Sequence, residues 1–596
     1  MKKAVQIFQK FRKTRWFDFA CILWYGIIAS LAFVPFHLTH LIWLAPFPLF
    51  WMEKKYRKSL KKLIIVGFMI GMSATVLSYN WMIHLLQVFG GFPYPIAFFL
   101  FLFYALVTNS RYAIYLVIYS RLKMRIKGYG AFIAGFSILC AEFFSYQLFP
   151  YYLGNILAWN NVLAQNAEIT GVYGLSFLVA VVSYALFRSA SGILHGKKIL
   201  KKKPFQRMLL FPSSVLVLFV LIGTYLYFKW NSYVPEKTKQ ILMIQPNAPL
   251  EFRDGRSVME SLTEIMQNVE DLAVKAADEK KPDIIVMPES GVPFFSTHNT
   301  PANVLYNPSY YYRYEALIYL LANRYKTNVY FNEIDAIFLN DKASPKNQRF
   351  YNNSVVFSPN GERGEHYRKS YLLAFGEYFP GGEWFPIIYD IIPQVGRFLE
   401  GKEQNLVTYY KNTKEPEVLK KSHLKWMDSS YMNMNAIRSY YADYKSETAE
   451  EGKFLPLICY EVILPEFVRK FYSAGNPDFI INITNDKWYG LSIETFQHLD
   501  LARIRSIEAR KWMVRSTNSG TSVFVDHMGR ILNENYTAQE ASATYAARVP
   551  VMREPPTFYV RFGNLFAWLY MVFFSGYWIF RLRGAFFMKK TDGISA

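Results

Sequence analysis

Long apolar stretches near 17–35, 63–86, 93–120, 129–149, 170–187, 208–229 and 562–580 dominate this sequence. Each approaches or exceeds the ~20 residues that a helix needs to cross roughly 30 Å of hydrocarbon. A shorter stretch near 39–52, interrupted by Pro46 and Pro48, makes an eighth span, because the chain must return across the membrane between two basic segments. Basic residues fall in alternate loops only. Clusters run from Lys2 to Arg15, Lys54 to Lys62, Arg121 to Lys127, Arg188 to Arg207 and Arg581 to Lys590, whereas the loops near 36–40, 87–92 and 150–169 carry no Lys or Arg. Lys and Arg near span ends stay on the cytoplasmic side. The N-terminus is therefore expected inside, the polar segment 231–555 outside, and the C-terminus inside again. The first apolar stretch follows a basic start but lacks a small-residue cleavage pattern, so it reads as a retained anchor.

A chain of 596 residues that is 52% hydrophobic and 18% aromatic is too long and too apolar for one soluble core. Its net charge of +22 does not mark a nucleic-acid partner, because the clusters sit at span ends beside anionic headgroups. Of three cysteines, Cys21 and Cys140 lie inside spans and read as small buried hydrophobes. Cys459 stands alone in the external segment, where an unpaired thiol in an oxidising compartment calls for a chemical role. Charges inside the spans need partners. Asp18 and Arg111 are expected to reach the cytoplasmic interface, and Glu142 to pair within the bundle.

From residue 240 the pattern changes to short β-rich runs alternating with helical stretches, which predicts an α/β domain. Strands are expected at 241–245, 283–289, 328–334, 353–358, 454–461, 479–486, 521–526 and 544–551. Val258, Leu262, Ile265, Val269, Leu272 and Ala276 recur at helical spacing, and helical patterns also appear at 309–325 and 494–511. Segment 375–398 strings apolar residues among Gly and Pro, either folded onto the core or dipping toward the bilayer as a lid. Segment 400–452 is polar and Tyr-rich and reads as a surface insertion. The domains are thus 1–230, a seven-span bundle; 231–555, the catalytic domain; and 556–596, a last span and tail.

Three short motifs carry chemistry. Glu289 closes the apolar run IIVMPE before the turn Ser290-Gly291, where burial would raise its pKa into the range of a general base for a thiol. Lys369 lies between the polar turn SPNGERGEH and the apolar LLAF. Cys459 follows the strand FLPLI, with backbone N–H groups just after it to receive an oxyanion. Each alone has an ordinary reading, as a solvated turn glutamate, an exposed lysine and an inert buried cysteine. Together, at apolar boundaries of one domain, they point to thiol acyl transfer. There is no HExxH pattern and no Cys/His cluster, and His37 with His40 reads as a span cap, so neither a metal nor a cofactor is expected.

This constellation resembles the nitrilase superfamily, and the membrane flanks narrow the resemblance to the bacterial apolipoprotein N-acyltransferases. The matching motifs are YNW at 79–81, GVYGLSFL at 171–178, IQPN at 244–247, MPES at 287–290, FGEYFP at 375–380, ICYE at 458–461, ITNDKWYG at 483–490, QHLDLARIRSIE at 497–508, RSTNSGTS at 515–522 and RFGN at 561–564. The resemblance implies a polytopic α-helical membrane bundle of about eight spans plus an extracytoplasmic nitrilase-like αββα sandwich. It implies Glu289 as general base, Lys369 as the cation on the tetrahedral intermediate, Cys459 as the acylated nucleophile, and supporting roles for Glu377, Tyr460 and Glu461. Two departures, Ala374 where Pro is common and Met287 where Trp is common, bear on the acyl pocket.

The implied reaction moves the sn-1 acyl chain of a phospholipid, phosphatidylethanolamine foremost, through a Cys459 thioester to the α-amino group of an S-diacylglyceryl-cysteine lipoprotein. The expected setting is the bacterial inner membrane, with the catalytic domain periplasmic and the protein a monomer. A membrane-anchored amidase or nitrile hydrolase shares the triad, with water in place of the amine. A transporter or receptor with a binding domain is the reading from another class, and the absence of a repeat among the spans weighs against it.

Overall fold

The computed structural model describes residues 9–126, 128–194, 203–250, 258–292, 296–298, 300–306, 311–340, 344, 347–379, 381–391, 396–413, 447–532 and 539–591. Five helical stretches are long and apolar enough to cross a membrane: Arg15–Ala32, Leu60–Ser78, Tyr94–Arg125, Leu163–Ile193 and Gln206–Asn231. Gly130–Phe144 and Leu565–Phe580 are shorter apolar helices. Phe99, Phe103, Leu221, Val572 and Phe573 project outward with more than half of their surface free, an apolar exterior that suits lipid and not water.

Several predicted spans are broken where polar side chains take over backbone hydrogen bonds. The stretch 39–52 is a 3₁₀ turn, Thr39–Trp43, followed by the helix Phe47–Tyr56, with Pro48 in its first turn where no N–H partner is needed. The stretch 63–86 ends as a helix at Ser78 and restarts at Met82. The freed Ser78 carbonyl accepts from Gln497 Nε2 at 2.8 Å, and Trp81 Nε1 donates to Gln497 Oε1 at 2.9 Å, so the YNW break is held by the α/β domain. The stretch 93–120 is interrupted at Asn109, whose Nδ2 donates to the Ala105 carbonyl and to Thr75 Oγ1.

Arg111, expected to reach a membrane interface, follows that break and is held within the bundle. Its guanidinium bonds Gln147 Oε1 at 2.9 Å and the Tyr151 carbonyl, because these acceptors lie beside it where the helix reopens. Glu142 takes a backbone N–H, that of Leu153 at 2.7 Å, and forms no ion pair within 4 Å among the described residues. Asp18 does pair at its helix end, with Lys55 Nζ at 2.7 Å.

The α/β domain holds, among the described residues, two six-stranded sheets. The first runs in the order β12-β1-β2-β3-β4-β5, from β1 (Thr238–Gln245), β2 (Ile284–Val286), β3 (Asn328–Phe338), β4 (Gln348–Phe357), β5 (Arg363–Arg368) and β12 (Ala543–Pro550). The second runs β11-β10-β9-β8-β7-β6, from β6 (Val407–Asn412), β7 (Thr448–Ile458), β8 (Ile480–Thr484), β9 (Met513–Thr517), β10 (Val523–Val525) and β11 (Ile531–Leu532). Each sheet has a parallel core, β1-β2-β3 and β7-β8-β9, flanked by antiparallel strands.

Alternation along the strands sorts the two faces of the first sheet. Leu242, Ile244, Ile285, Val329, Phe331 and Val355 pack under the helices Val258–Lys280 and Tyr311–Tyr325. Ile241, Met243, Ile284, Val286, Tyr330 and Val356 face the second sheet, where the Tyr330 ring packs at 4.8 Å on Phe454 and Ile481 and Val514 share the Phe454 face. On the far side of the second sheet lies the helix Glu494–Ala509, buried on nearly every residue because the helical bundle covers its outer face. The result is the four-layer αββα sandwich predicted.

The interface with the bundle is polar and held by paired side chains. Asp500 Oδ2 accepts from Trp159 Nε1 at 2.8 Å, and the Arg503 guanidinium lies over the Trp159 ring at 4.0 Å. His37, expected to cap a span, also turns to this helix, its Nδ1 3.7 Å from Asp500. Gly171, at φ 60°, kinks the helix Ala167–Leu194, and the N–H of Val172 freed there donates to Glu508 Oε1 at 3.1 Å. A side chain at Gly171 would also strike the Tyr559 ring.

Two sequence expectations change here. Residues 407–412 and 448–458 are paired strands of the second sheet, so 400–452 is not wholly a surface insertion; residues 414–446 lie outside the described residues. In segment 375–398, Trp384, Phe385 and Ile387 stay largely exposed, so this loop is not folded onto the core at those positions.

Candidate active site

Glu289, Lys369 and Cys459 each follow the C-terminal end of a strand, β2, β5 and β7 respectively. β5 runs in the direction of β2 and β3, because two antiparallel pairings separate it from β3. Glu289 and Lys369 therefore emerge from one end of the first sheet, and Cys459 comes to them from the second. The turns are sharp. Ser290 after Glu289 has φ 53° and Cys459 itself φ 56°, a left-handed conformation that costs a non-glycine residue on the order of 1 kcal/mol. At Cys459 it lifts the side chain out of the strand line at the start of a 3₁₀ turn, Cys459–Ile463.

All three side chains are buried and joined. Lys369 Nζ lies 3.5 Å from Glu289 Oε1 and 2.9 Å from Glu377 Oε2. Asn352 Nδ2 donates to both carboxylates, at 2.7 Å to Glu289 Oε1 and 2.8 Å to Glu377 Oε1. The backbone N–H of Asn485 reaches Glu289 Oε2 at 3.1 Å, and the Cys459 thiol lies close enough to this carboxylate for each group to shift the other's protonation. Asn332 completes the scaffold, accepting from the Ser290 N–H at 2.9 Å and donating to Asn352 Oδ1 at 2.7 Å.

Burial sets the protonation preferences. It pushes the Glu289 carboxyl up, the Lys369 ammonium pulls it back, and Glu377 pushes it up again, leaving it above the ordinary glutamate range. Burial also pushes the Cys459 thiol up, with Glu289 adding to the effect and Lys369 opposing it, so the resting sulfur is a thiol. For Lys369 burial disfavours the charge, but Glu377 and then Glu289 outweigh it, and the ammonium is held firmly charged. A proton passing from Cys459 to Glu289 moves charge within the buried site without changing its total. That is an economical transfer where creating a new buried charge is expensive.

Glu461 does not enter this cluster as a contact. Its Oε1 accepts from Tyr367 OH at 2.8 Å and from the N–H groups of Ser370 at 2.8 Å and Tyr371 at 3.0 Å, and its Oε2 accepts from the Ile458 N–H at 2.9 Å. One carboxyl, raised to about 7 by burial, thus ties the Lys369 turn to the residue before the nucleophile. Glu377 is a direct partner of Lys369. Tyr460 lies with its ring 5.9 Å from Lys369 Nζ, and its hydroxyl donates to the Leu372 carbonyl at 2.8 Å.

Asn352, Asn485 and a buried set behind the nucleophile were not singled out in the sequence. In that set Arg515 Nη2 pairs with Asp486 Oδ2 at 2.8 Å, and Thr484 and Thr495 also bond Asp486. Asn482 Nδ2 donates to the Cys459 carbonyl at 3.1 Å. Asp486, Glu494 and His498 lie close enough to hold a metal ion. The Arg515 guanidinium already supplies the positive charge there, so the set reads as a structural ion network. Met287 faces the helix layer beside Tyr314 and not the catalytic cluster, so that departure bears on packing and not on an acyl pocket.

A carbon-nitrogen hydrolase model matches residues 244–553, and an apolipoprotein N-acyltransferase N-terminal domain model matches residues 25–185. The chain is 46% identical over 589 residues to Apolipoprotein N-acyltransferase 2 of Leptospira interrogans serogroup Icterohaemorrhagiae serovar copenhageni, across 96% of this chain and 97% of that protein. The chain belongs to the apolipoprotein N-acyltransferase family. It is also 28% identical over 489 residues to Apolipoprotein N-acyltransferase 1 of Leptospira interrogans serovar Lai, across 79% of this chain and 80% of that one. The Apolipoprotein N-acyltransferase of Geobacter metallireducens is 26% identical over 568 residues, across 92% of both chains. With the apolar helices, membership makes this a membrane-bound acyltransferase whose α/β domain has the nitrilase-like fold.

Proposed function

We propose that Cys459 is the acylated nucleophile, Glu289 the general base and Lys369 the cation that stabilises the oxyanion, in transfer of a phospholipid sn-1 acyl chain to the α-amino group of a diacylglyceryl-modified lipoprotein. The observation that carries this reading is the buried junction of the three side chains, with Lys369 between Glu289 and Glu377 and the Cys459 thiol electrostatically coupled to both Glu289 and Lys369.

In the first half-reaction Glu289 takes the thiol proton as sulfur attacks the ester carbonyl. Lys369 and the Tyr460 N–H receive the oxyanion. The intermediate collapses by breaking the carbon–oxygen bond, the glycerol oxygen takes the proton from Glu289, and lysophospholipid leaves a thioester on Cys459. In the second, the lipoprotein amine attacks the thioester, Glu289 takes the ammonium proton, and the carbon–sulfur bond breaks. The thiolate regains that proton and the amide product departs.

The site adjoins the bundle, which supports a lipid donor. The Tyr460 ring lies 6.0 Å from Phe149, and Tyr489 packs at 5.1 Å on Trp81 beside the break between two spans. The alternating basic loops support eight spans, with the helices Phe47–Tyr56, Gly130–Phe144 and Leu565–Thr591 joining the five long ones. They also support residues 231–555 as a periplasmic domain on the bacterial inner membrane, and the proposal takes the protein as a monomer acting on phosphatidylethanolamine. Incubation with labelled phosphatidylethanolamine and a diacylated lipopeptide tests the reading. Acylated lipopeptide and lysophospholipid are expected; free fatty acid as the sole product would assign a hydrolase instead.

A further inference from the structure

The segment RFGN at 561–564 and the end of the helix Lys203–Asn231 serve no step of this chemistry, yet together they wall a cavity of about 480 Å³. The cavity shares no lining residue with the catalytic cluster. Two cations, Lys229 and Arg561, stand on its wall; both are exposed, and neither forms an ion pair among the described residues. One Glu554 carboxylate oxygen on the same wall is buried with no hydrogen-bond partner among the described residues. The remaining carboxylate, Glu168, is already taken by Arg510 Nε at 2.9 Å and Trp230 Nε1 at 2.8 Å. Aromatic rings complete the cavity: Tyr233, Phe558 and Phe562, the last two more than a third exposed.

Cations beside a carboxylate, under a rim of aromatic rings where two apolar helices end, match a zwitterionic group held at a bilayer surface. We propose that this cavity is a second, non-catalytic phospholipid site, which seats the headgroup of a zwitterionic lipid with its phosphate on Lys229 and Arg561 and its ammonium toward Glu554. The acyl chains then run down along the exposed faces of Phe558 and Phe562. The site would fasten the domain to the lipid surface at the junction of the two helices that enter and leave it. It rests on these helix ends lying at a membrane surface, and not on the catalytic roles.

Delipidated full-length protein in detergent, titrated with phosphatidylethanolamine carrying a photoreactive group on an acyl chain, tests the assignment by peptide mapping. Adducts are expected within 229–233 and 554–562. Lys229→Gln with Arg561→Gln should lower them about tenfold or more relative to adducts elsewhere on the same molecules, as loss of two interfacial cations requires. Lys229→Arg with Arg561→Lys should retain them, which separates charge loss from misfolding. Glu554→Gln should lower the preference for phosphatidylethanolamine over phosphatidylglycerol. Absence of adducts in these segments, insensitivity to the charge-removing pair, an unchanged lipid preference in Glu554→Gln, or displacement of the lipid by inorganic phosphate would each overturn the proposal. Acyl mass on Cys459 in the same wild-type sample scores the catalytic reading separately.

Discussion

Replacing Asn352 with leucine removes the one side chain that touches both carboxylates around Lys369. Its Nδ2 donates at 2.7 Å to Glu289 and 2.8 Å to Glu377 inside a buried site. Hydrogen bonds to charged groups contribute about 1.5–3 kcal/mol each. Only the bond to Glu289 bears on the base, and loss of that amount from its ionised form slows acylation by roughly 10- to 100-fold at pH values below the limb, where the ionised fraction limits the rate. The direction on pH follows from the same bond. Asn352 helps hold Glu289 ionised against burial, so without it the carboxyl rises further and more base is protonated at neutral pH. Single-turnover acylation from phospholipid, followed by intact mass across pH, measures both effects. The variant should show an acid limb displaced to higher pH, with Cys459 still the acylated residue. Acylation within twofold of wild type and an unmoved limb would refute the role given to this amide.

The wild-type profile should rise with pH through a limb above the ordinary glutamate value of 4.5, because the base must be ionised and its pKa is raised. It should not fall until above the ordinary thiol value of 9.0, since the resting sulfur is a thiol whose pKa is raised; a falling limb near neutrality would contradict this assignment. Lys369→Gln should lower acylation by about 10²–10³, the usual cost of an oxyanion donor, read in the same single-turnover assay. Arg515→Met leaves Asp486 buried without its cation and should cost about 3–5 kcal/mol of stability, seen as a lower half-inactivation temperature in detergent. An unchanged temperature would remove Arg515 from the scaffold.

Glu289 and Cys459 were legible because each follows an apolar strand, a pattern that one-dimensional sequence displays, and Lys369 because it stands where a polar turn gives way to the apolar LLAF. So were the helix stripe at 258–276 and the strands β1, β2, β3, β7 and β8 of the sheet cores. What sequence concealed was pairing across distance. Asn352 sits in a strand of alternating polar and apolar residues, and nothing local says that its amide meets two carboxylates. β5, β6, β9 and β11 were not expected, because their residues are polar or belong to motifs read as turns, and their ladder partners supply the stability that propensity does not. The breaks at Ser78 and Asn109 escaped hydropathy for a related reason. A polar residue in an apolar run looks like a tolerated guest until the group that takes over the freed backbone bond is known, and for Ser78 that group is Gln497, more than four hundred residues away. The charged residues of 500–510 lie in a predicted helix, and what the sequence does not display is their burial, for which the bundle offers Trp159, Glu168 and the Val172 N–H as partners.

The most direct test of the central claim is to place the acyl group on the chain. After brief incubation with phospholipid and acid quenching, peptide mapping should find one fatty acyl mass on the peptide bearing Cys459, labile to hydroxylamine, and Cys459→Ala should carry none. An acyl adduct at any other residue, or one that persists in the Cys459→Ala protein, would contradict the account.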